Sequence, residues 1–289
     1  MKAMYIYYPG CTLKSFAKRY EESALAVAKK LGIELVELKN WTCCGAVYST
    51  PDDDLIHHVA AARNLVRAQV FSREVGSPNI VTLCAMCYHV LKRVNLMLKN
   101  DEEKLNTINL FMDTEEDYRA ENRVYHLLEV IRDVIGFDNL SKHVVTPLKG
   151  VNAACYYGCL LVKPKEVGID DPENPTAMDK IVKALGGKSI AFPFKTECCG
   201  AYQVVSNKKI VIERSHEILK NAVNRGANLI VVACPLCEHN LSLAASNSHI
   251  SKIRNIPILY FTELMCIAYG LKDHVPKEIL DKVEKLLVR

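Results

Sequence analysis

Short apolar runs alternate with longer amphipathic stretches along this chain, and the alternation is written twice. Met4 to Tyr8 is an aromatic, apolar run that reads as a strand leading to Cys11. The Ala-, Leu- and Lys-rich stretch 16–31 predicts a helix stopped by Gly32. Ile33 to Leu38 reads as a second strand, running toward Cys43 and Cys44. Thr50 before Pro51, with Asp53 behind, signals a helix start, and Leu55, Val59, Ala62 and Val66 supply its buried stripe. Asn79 to Leu83 is a β-branched strand delivering Cys84, whose C-x-x-C opens the next helix. The order then repeats. Val151 to Cys155 is a strand, and Asn174-Pro175 starts a helix with Met178, Ile181, Val182 and Leu185 on one face. Gly186-Gly187 ends that helix, Ser189 to Phe194 leads to Cys198, and Leu229 to Ala233 leads to Cys234. Val124-Tyr125-His126-Leu127-Leu128-Glu129 is echoed by Leu259-Tyr260-Phe261-Thr262-Glu263.

Strands alternating with helices predict the α/β class: two tandem duplicated domains with small parallel sheets, over 1–149 and 150–289. Ligands of such sheets collect beyond the carboxyl ends of the strands, where all the cysteine clusters fall. Halves facing each other across a pseudo-twofold axis would bring the two sets to one cleft. The 289 residues are 49% hydrophobic with a net charge of +4, so each half can build a core. The mild charge and the lack of a basic block argue against nucleic acid. No 18-residue apolar run and no signal layout is present, which predicts a cytoplasmic chain without a membrane span.

Composition changes the picture at cysteine. Ten of the 12 fall into one five-cysteine pattern used twice: Cys11, Cys43, Cys44, Cys84, Cys87, and Cys159, Cys198, Cys199, Cys234, Cys237. Both adjacent pairs continue as Cys-Cys-Gly-Ala, at Gly45-Ala46 and Gly200-Ala201. Gly10 and Gly158 precede the leading cysteines. A reducing compartment disfavours structural disulfides, and adjacent cysteines do not readily bridge each other. Five soft thiolates per copy exceed a closed zinc site and point to iron–sulfur chemistry, with zinc as the alternative. Gly45 and Gly200 suit a close backbone approach or a positive φ. A helix N-terminus at each C-x-x-C favours thiolate and anionic cluster.

These residues resemble the cysteine-rich CCG domain, which occurs twice in the B subunit of heterodisulfide reductase from methanogenic archaea. Pro9-Gly10-Cys11, Cys43-Cys44-Gly45, Cys84-x-x-Cys87, Gly158-Cys159, Cys198-Cys199-Gly200 and Cys234-x-x-Cys237 carry the match over nearly the whole chain. The resemblance implies two 4Fe–4S clusters of noncubane type, each held by one set of five cysteines. It implies an oxidoreductase of methanogenesis that reduces the mixed disulfide of coenzyme M and coenzyme B by homolytic cleavage, one sulfur at each cluster. It also implies two partners, a ferredoxin-like iron–sulfur subunit and a flavin-containing subunit, in an electron-bifurcating complex that can include a hydrogenase or formate dehydrogenase. The alternative is an electron-transfer subunit of a lactate- or glycolate-type oxidoreductase, since relatives of that kind share the domain.

Other candidates are less specific. His89 and His239 each follow a C-x-x-C by two residues and can protonate a leaving thiolate or hold a cluster sulfide. Lys14, Lys163 and Lys165 follow the leading cysteines and can meet the sulfonate and phosphate of that substrate. Trp41 can cover a cluster or pack in the core. Cys155 and Cys266 read as buried thiols, His57-His58 as a surface pair, and Asp113 to Asp117 as the start of a polar helix. With no ferredoxin cysteine motif and no dinucleotide glycine signature, the chain needs an electron-supplying partner, whose apolar docking face is expected in 105–150 or 276–288.

Overall fold

A computed structural model describes residues 3–46 and 54–287. Two four-stranded, wholly parallel sheets carry the fold, and their strand orders match: β2-β1-β3-β4 and β6-β5-β7-β8. The duplicated α/β architecture read from the sequence is present.

In the first copy β1 (Ala3–Tyr8) lies between β2 (Ile33–Glu37) and β3 (Asn79–Thr82), with β4 (Arg123–His126) at the far edge. Helix α1 spans Lys18–Lys30, two residues shorter at its start than expected. The Ala17 N–H and the Ser15 hydroxyl turn back onto Thr12 and Cys11 carbonyls, which hold 11–17 as a turn. The start signal at Thr50, Pro51 and Asp53 lies outside the described residues. Within them, Asp54 caps a 3-10 turn, Leu55–His58, that runs into α2 (Val59–Val75). Ala62 and Val66 of the expected stripe are buried, while Leu55 and Val59 are only partly covered. His58 is also buried, against the expectation of a surface pair, because the 3-10 turn rotates it inward.

Cys84 caps α3 (Ala85–Asn100), and Asp101 caps α4 (Glu102–Phe111) through the Lys104 N–H. The acidic stretch 113–117 is not the start of a helix. It is a turn and an extended segment in which Glu115 pairs with Arg67 at 2.8 Å and Glu116 with Arg73 at 2.6 Å. Opposite charges on α2 offset the tendency of this acidic run to coil into its own helix.

The second copy sets β5 (Asn152–Tyr156) against β6 (Lys188–Ser189) and β7 (Leu229–Val232), with β8 (Ile258–Tyr260) outermost. Helix α5 (Ala177–Ala184) starts after Asn174-Pro175, with the Asp170 carboxylate accepting from Thr176 and Ala177 N–H groups at 2.7 and 2.8 Å. Met178, Ile181, Val182 and Leu185 are all buried on its core face, as its pattern requires. The expected strand over 189–194 shrinks to two residues, since Pro193 has no ladder N–H and opens a 3-10 turn. Helix α6 (Lys208–Asn224) follows, and Cys234 caps α7 (Pro235–Ser246). After β8 comes α8 (Phe261–Ala268), then α9 (Lys277–Glu284). The terminal echo is structural too: Glu129 accepts from His126 N–H at 2.9 Å, and Glu263 from Tyr260 N–H at 2.8 Å.

Helix α1 of the first copy packs on α8 of the second. The Tyr20 and Tyr260 rings lie flat on each other, 4.0 Å apart, and Ser23 meets Thr262 at 2.7 Å. Arg19 grips Glu263 with two 2.7 Å hydrogen bonds and reaches Glu238 at 2.9 Å. No described helix is long and apolar enough to cross a membrane.

Candidate metal centre

Each set of thiols stands beyond the carboxyl ends of its sheet's three inner strands, held there by matched devices. Tyr8, three residues before Cys11, donates to the Thr42 carbonyl at 2.7 Å. Tyr156, three before Cys159, donates to the Glu197 carbonyl at 2.6 Å. Each tyrosine thus ties the leading loop to the residue before the vicinal pair. A Cβ at Gly10 would come within 2.8 Å of Cys87 Sγ, and one at Gly158 within 3.0 Å of Cys237 Sγ; both have positive φ. These glycines let the leading loop close over the hook. Gly45 and Gly200 have the expected positive φ, but their close approach is to Ala60 and Val211 on the helix side rather than to the thiols. Asn64 accepts from Thr42 N–H at 2.8 Å, and Asn240 donates to Cys199 Sγ at 3.3 Å and to the Ala201 carbonyl at 3.0 Å.

All twelve cysteines are free of disulfides. In the first copy Cys11 and Cys43 sulfurs are 3.9 Å apart, and Cys44 and Cys87 3.6 Å. In the second, Cys199 and Cys237 are 3.7 Å apart. Proton sharing splits neighbouring thiols. The Cys44 thiol and the Gly45 N–H bring Cys43 down to about 6, while Cys43 together with burial drives Cys44 up to about 12. Cys198 is likewise lowered to about 6, by Cys159 and the Gly200 N–H, and Cys159 is raised in return. Cys84 and Cys234 interact across the copies: Cys234 lowers Cys84, and Cys84 and burial, against the pull of Cys237, leave Cys234 at about 12.

Among the described residues no three His, Cys, Asp or Glu side chains converge on a single metal ion. The thiols form close pairs spread around each site. That spread, with five soft donors per set, suits a polynuclear iron–sulfur guest better than one tetrahedral zinc.

The sets differ in access. The first opens into a cavity of about 780 Å³ lined by all five of its cysteines and by Phe16, with Tyr202, Leu236, Glu238, His239 and Tyr260 on the opposite side. The second borders a void of about 20 Å³, closed by Ala85 and Met86 of the first copy together with Leu160 and Leu236. The start of each hook helix therefore walls the other copy's site. Met86 and Leu236, each two residues after the first hook cysteine, border both spaces.

This exchange relocates the two histidines. His239 is exposed in the first copy's cavity. His89 is buried against the Leu160 and Lys163 carbonyls behind Cys159, and burial lowers its pKa. Each stands at the opposite copy's leading loop. Lys14 is bound to Glu21 at 2.8 Å and Glu37 at 2.7 Å, and Lys163 pairs with Glu173 at 3.4 Å. Neither these two nor Lys165 lines the cavity. Trp41 packs edge-on against Tyr8, half-buried. Cys155 is buried in β5 beside Asp179, Lys195 and Ser189, and Cys266 contacts the Ser23 carbonyl at 3.5 Å. Sequence reasoning missed Tyr8, Tyr156, Asn64 and the Met86–Leu236 pair, though the tyrosine three residues before each leading cysteine was a usable signal.

The profile of the cysteine-rich domain family, CCG, matches residues 5–92 and 153–242. The chain belongs to this family. It is 31% identical over 94% of its length, and 94% of the relative's, to the 8-methylmenaquinol:fumarate reductase membrane anchor subunit of Wolinella succinogenes. It is 30% identical to the B subunit of the ferredoxin/F420H2-dependent CoB-CoM heterodisulfide reductase of Methanosarcina acetivorans, over 90% of this chain and 87% of that one. A hypothetical protein from Helicobacter pylori shares the fold, with TM-score 0.71 at 14% identity; it covers 97% of this chain, which spans about half (52%) of that structure. The CCG chain is thus an iron–sulfur subunit of the heterodisulfide reductase B type, and its relatives are subunits of larger redox complexes.

Proposed function

We propose that this chain is the substrate-facing subunit of a heterodisulfide-reductase-type oxidoreductase, with one 4Fe–4S cluster, of noncubane type, held by each set of five cysteines. The first set is Cys11, Cys43, Cys44, Cys84 and Cys87; the second is Cys159, Cys198, Cys199, Cys234 and Cys237. The observation that supports it is the cavity of about 780 Å³ that opens on the first set while spanning both copies. The clusters would supply one-electron steps. The reaction is reductive cleavage of the coenzyme M–coenzyme B disulfide, which consumes two electrons and two protons and releases two thiols. Apolar Phe16, Ala17, Met86, Pro235 and Leu236 exclude water, and His239 is positioned to give a proton to a departing sulfur. Electrons come from a ferredoxin-like iron–sulfur subunit and a flavin-containing subunit. Exposed Leu110, Phe111, Val134 and Val145 make the linking region the stronger candidate for that docking face, since Val283 of α9 is buried.

A second reading is favoured by the cavity's charge. Among the described residues no Lys or Arg lines it, and residues 47–53 contain neither. A substrate carrying sulfonate and phosphate needs cations there. A neutral quinol, the substrate class in the Wolinella relative's name, fits an apolar wall bearing Tyr202, Tyr260, His239 and Glu238. Its oxidation releases two electrons and two protons. Neither the Wolinella nor the Methanosarcina relative is a lactate or glycolate enzyme.

Anaerobic reconstitution, with iron and sulfide counted and EPR recorded with the mixed disulfide or a short-chain menaquinol, separates these readings. The disulfide reading requires a cluster signal altered by the disulfide and lost in Cys44→Ser; alteration by the quinol alone selects the second. If neither compound alters any signal, the cavity is not a substrate site and both readings fall.

A further inference from the structure

The seam between the copies contains a polar tie that neither thiol set accounts for. The Tyr20 hydroxyl shares its single hydrogen between two carbonyl oxygens, Leu83 at 3.0 Å and Ala233 at 3.3 Å. Leu83 immediately precedes Cys84, and Ala233 immediately precedes Cys234. One side chain therefore holds the backbone of both hooks at the same point. Tyr20 is fully buried, with its ring fixed flat on Tyr260 and edge-on to Phe261.

His126 adds a second tie. Its Nδ1 accepts from the Leu128 N–H at 3.2 Å, so the ring proton lies on Nε2, which donates to the Leu83 carbonyl at 2.7 Å. Burial brings its pKa down to about 4, which keeps the ring neutral in this role. The Leu83 carbonyl thus takes two donors, one from α1 and one from the end of β4. A buried tyrosine usually satisfies its hydroxyl with one partner. Two acceptors from different copies, both adjoining first hook cysteines, are more than core packing requires.

We infer that Tyr20 and His126 are positioning residues that bind the two C-x-x-C hooks to each other, so that the separation of Cys84 and Cys234 is set by the fold and does not depend on cluster binding. The spacing of the two clusters would follow from that separation. The tie is single, because the stretch after Cys159 forms a loop rather than a counterpart of α1.

The test uses the full chain and the variants Tyr20→Phe, His126→Leu, His126→Gln and the Tyr20→Phe/His126→Leu double. Tyr118→Phe is the control, a buried tyrosine that donates to Asn95 within the first copy. In the cluster-loaded chain the readout is magnetic interaction between the two clusters by EPR. After anaerobic chelation, dibromobimane, which links only neighbouring thiols, is applied, and the Cys84–Cys234 peptide is quantified by mass spectrometry. The double variant should lower the linking rate about tenfold, as small misplacements of reacting groups do. It should weaken the magnetic interaction while keeping its iron, and His126→Gln, which restores a donor, should recover both. Linking and magnetic interaction unchanged in the double variant, or reduced equally in Tyr118→Phe, would overturn the assignment. The linking readout does not depend on which substrate the cavity takes.

Discussion

The two copies use the same five-cysteine pattern, the same strand order and the same tyrosine and glycine devices, yet one thiol set is open and the other closed. Cys11 and Cys43 are exposed beside a cavity of about 780 Å³, whereas Cys159 and Cys198 are half-buried beside a void of about 20 Å³. The hooks do not cause the difference, since Cys84, Cys87, Cys234 and Cys237 are all buried. It arises in the segment just beyond each leading cysteine. After Cys11 the chain turns into α1 and leaves Phe16 at the cavity rim, 96% exposed. After Cys159 a loop folds down, with Leu160 against the second set and the Tyr88 hydroxyl donating to the Val167 carbonyl at 2.6 Å. Duplication has thus kept the donor set while separating its uses: the open set suits exchange with a substrate, and the closed set suits passage of electrons.

The strongest way to break this comparison is to remove one set at a time. Cys44→Ser and Cys199→Ser should each abolish one cluster, leaving roughly half the iron, while Cys155→Ser and Cys266→Ser should keep it all, because ligand thiolates cannot be replaced by hydroxyls in soft-donor sites. Any substrate-induced EPR change should survive in Cys199→Ser and vanish in Cys44→Ser. The opposite pattern would assign the cavity to the wrong set. Next in size is thiol reactivity in the cluster-free chain. Cys43 is exposed and held near 6, whereas the adjacent Cys44 is buried and raised to about 12. At neutral pH Cys43 should be alkylated more than about a hundredfold faster than Cys44, since only thiolate reacts. Cys198, lowered to the same degree but half-buried, should fall between them. Peptide mapping after brief iodoacetamide treatment checks this, and equal labelling of Cys43 and Cys44 would remove the electrostatic part of the comparison.

Much of this arrangement was legible in the residues. Parallel sheets, hooks at helix starts and two matched sets all follow from a repeat whose strands each end at a cysteine. Local signals failed where a distant partner decided the outcome. The acidic run 113–117 pairs with arginines of α2, and Pro193 shortens a strand whose neighbours looked β-forming. The exchange of hook helices was not legible at all. His89 and His239 stand next to their own cysteines in sequence, but the helix N-termini cross the seam, and only packing between the copies reveals that.

The seam itself is unequal, which gives the smallest and most specific prediction. On one side Arg19 of the first copy crosses to Glu263 and Glu238 of the second; on the other, Lys92 meets Glu129 within the first copy at 3.1 Å. Burial pushes Glu263 from its ordinary 4.5 up to about 7, even though Arg19 and the Tyr260 N–H both pull it down. Desolvation wins because the carboxylate has no exposed surface while Arg19 divides its charge between two acids. Between about pH 4.5 and 7 the folded chain therefore holds a proton on Glu263 that the unfolded chain has released. Under linkage, stability should fall as pH rises through this window and the contribution should be constant above it, a change of about 1–2 kcal/mol after allowance for relaxation of the pair. Urea unfolding of wild type and Glu263→Gln at pH 5 and pH 8 measures it. The wild type should lose stability relative to the variant on going from pH 5 to pH 8. A difference of the opposite sign would mean that the Arg19 pair, rather than burial, governs this carboxylate, and that charge rather than packing holds this side of the seam.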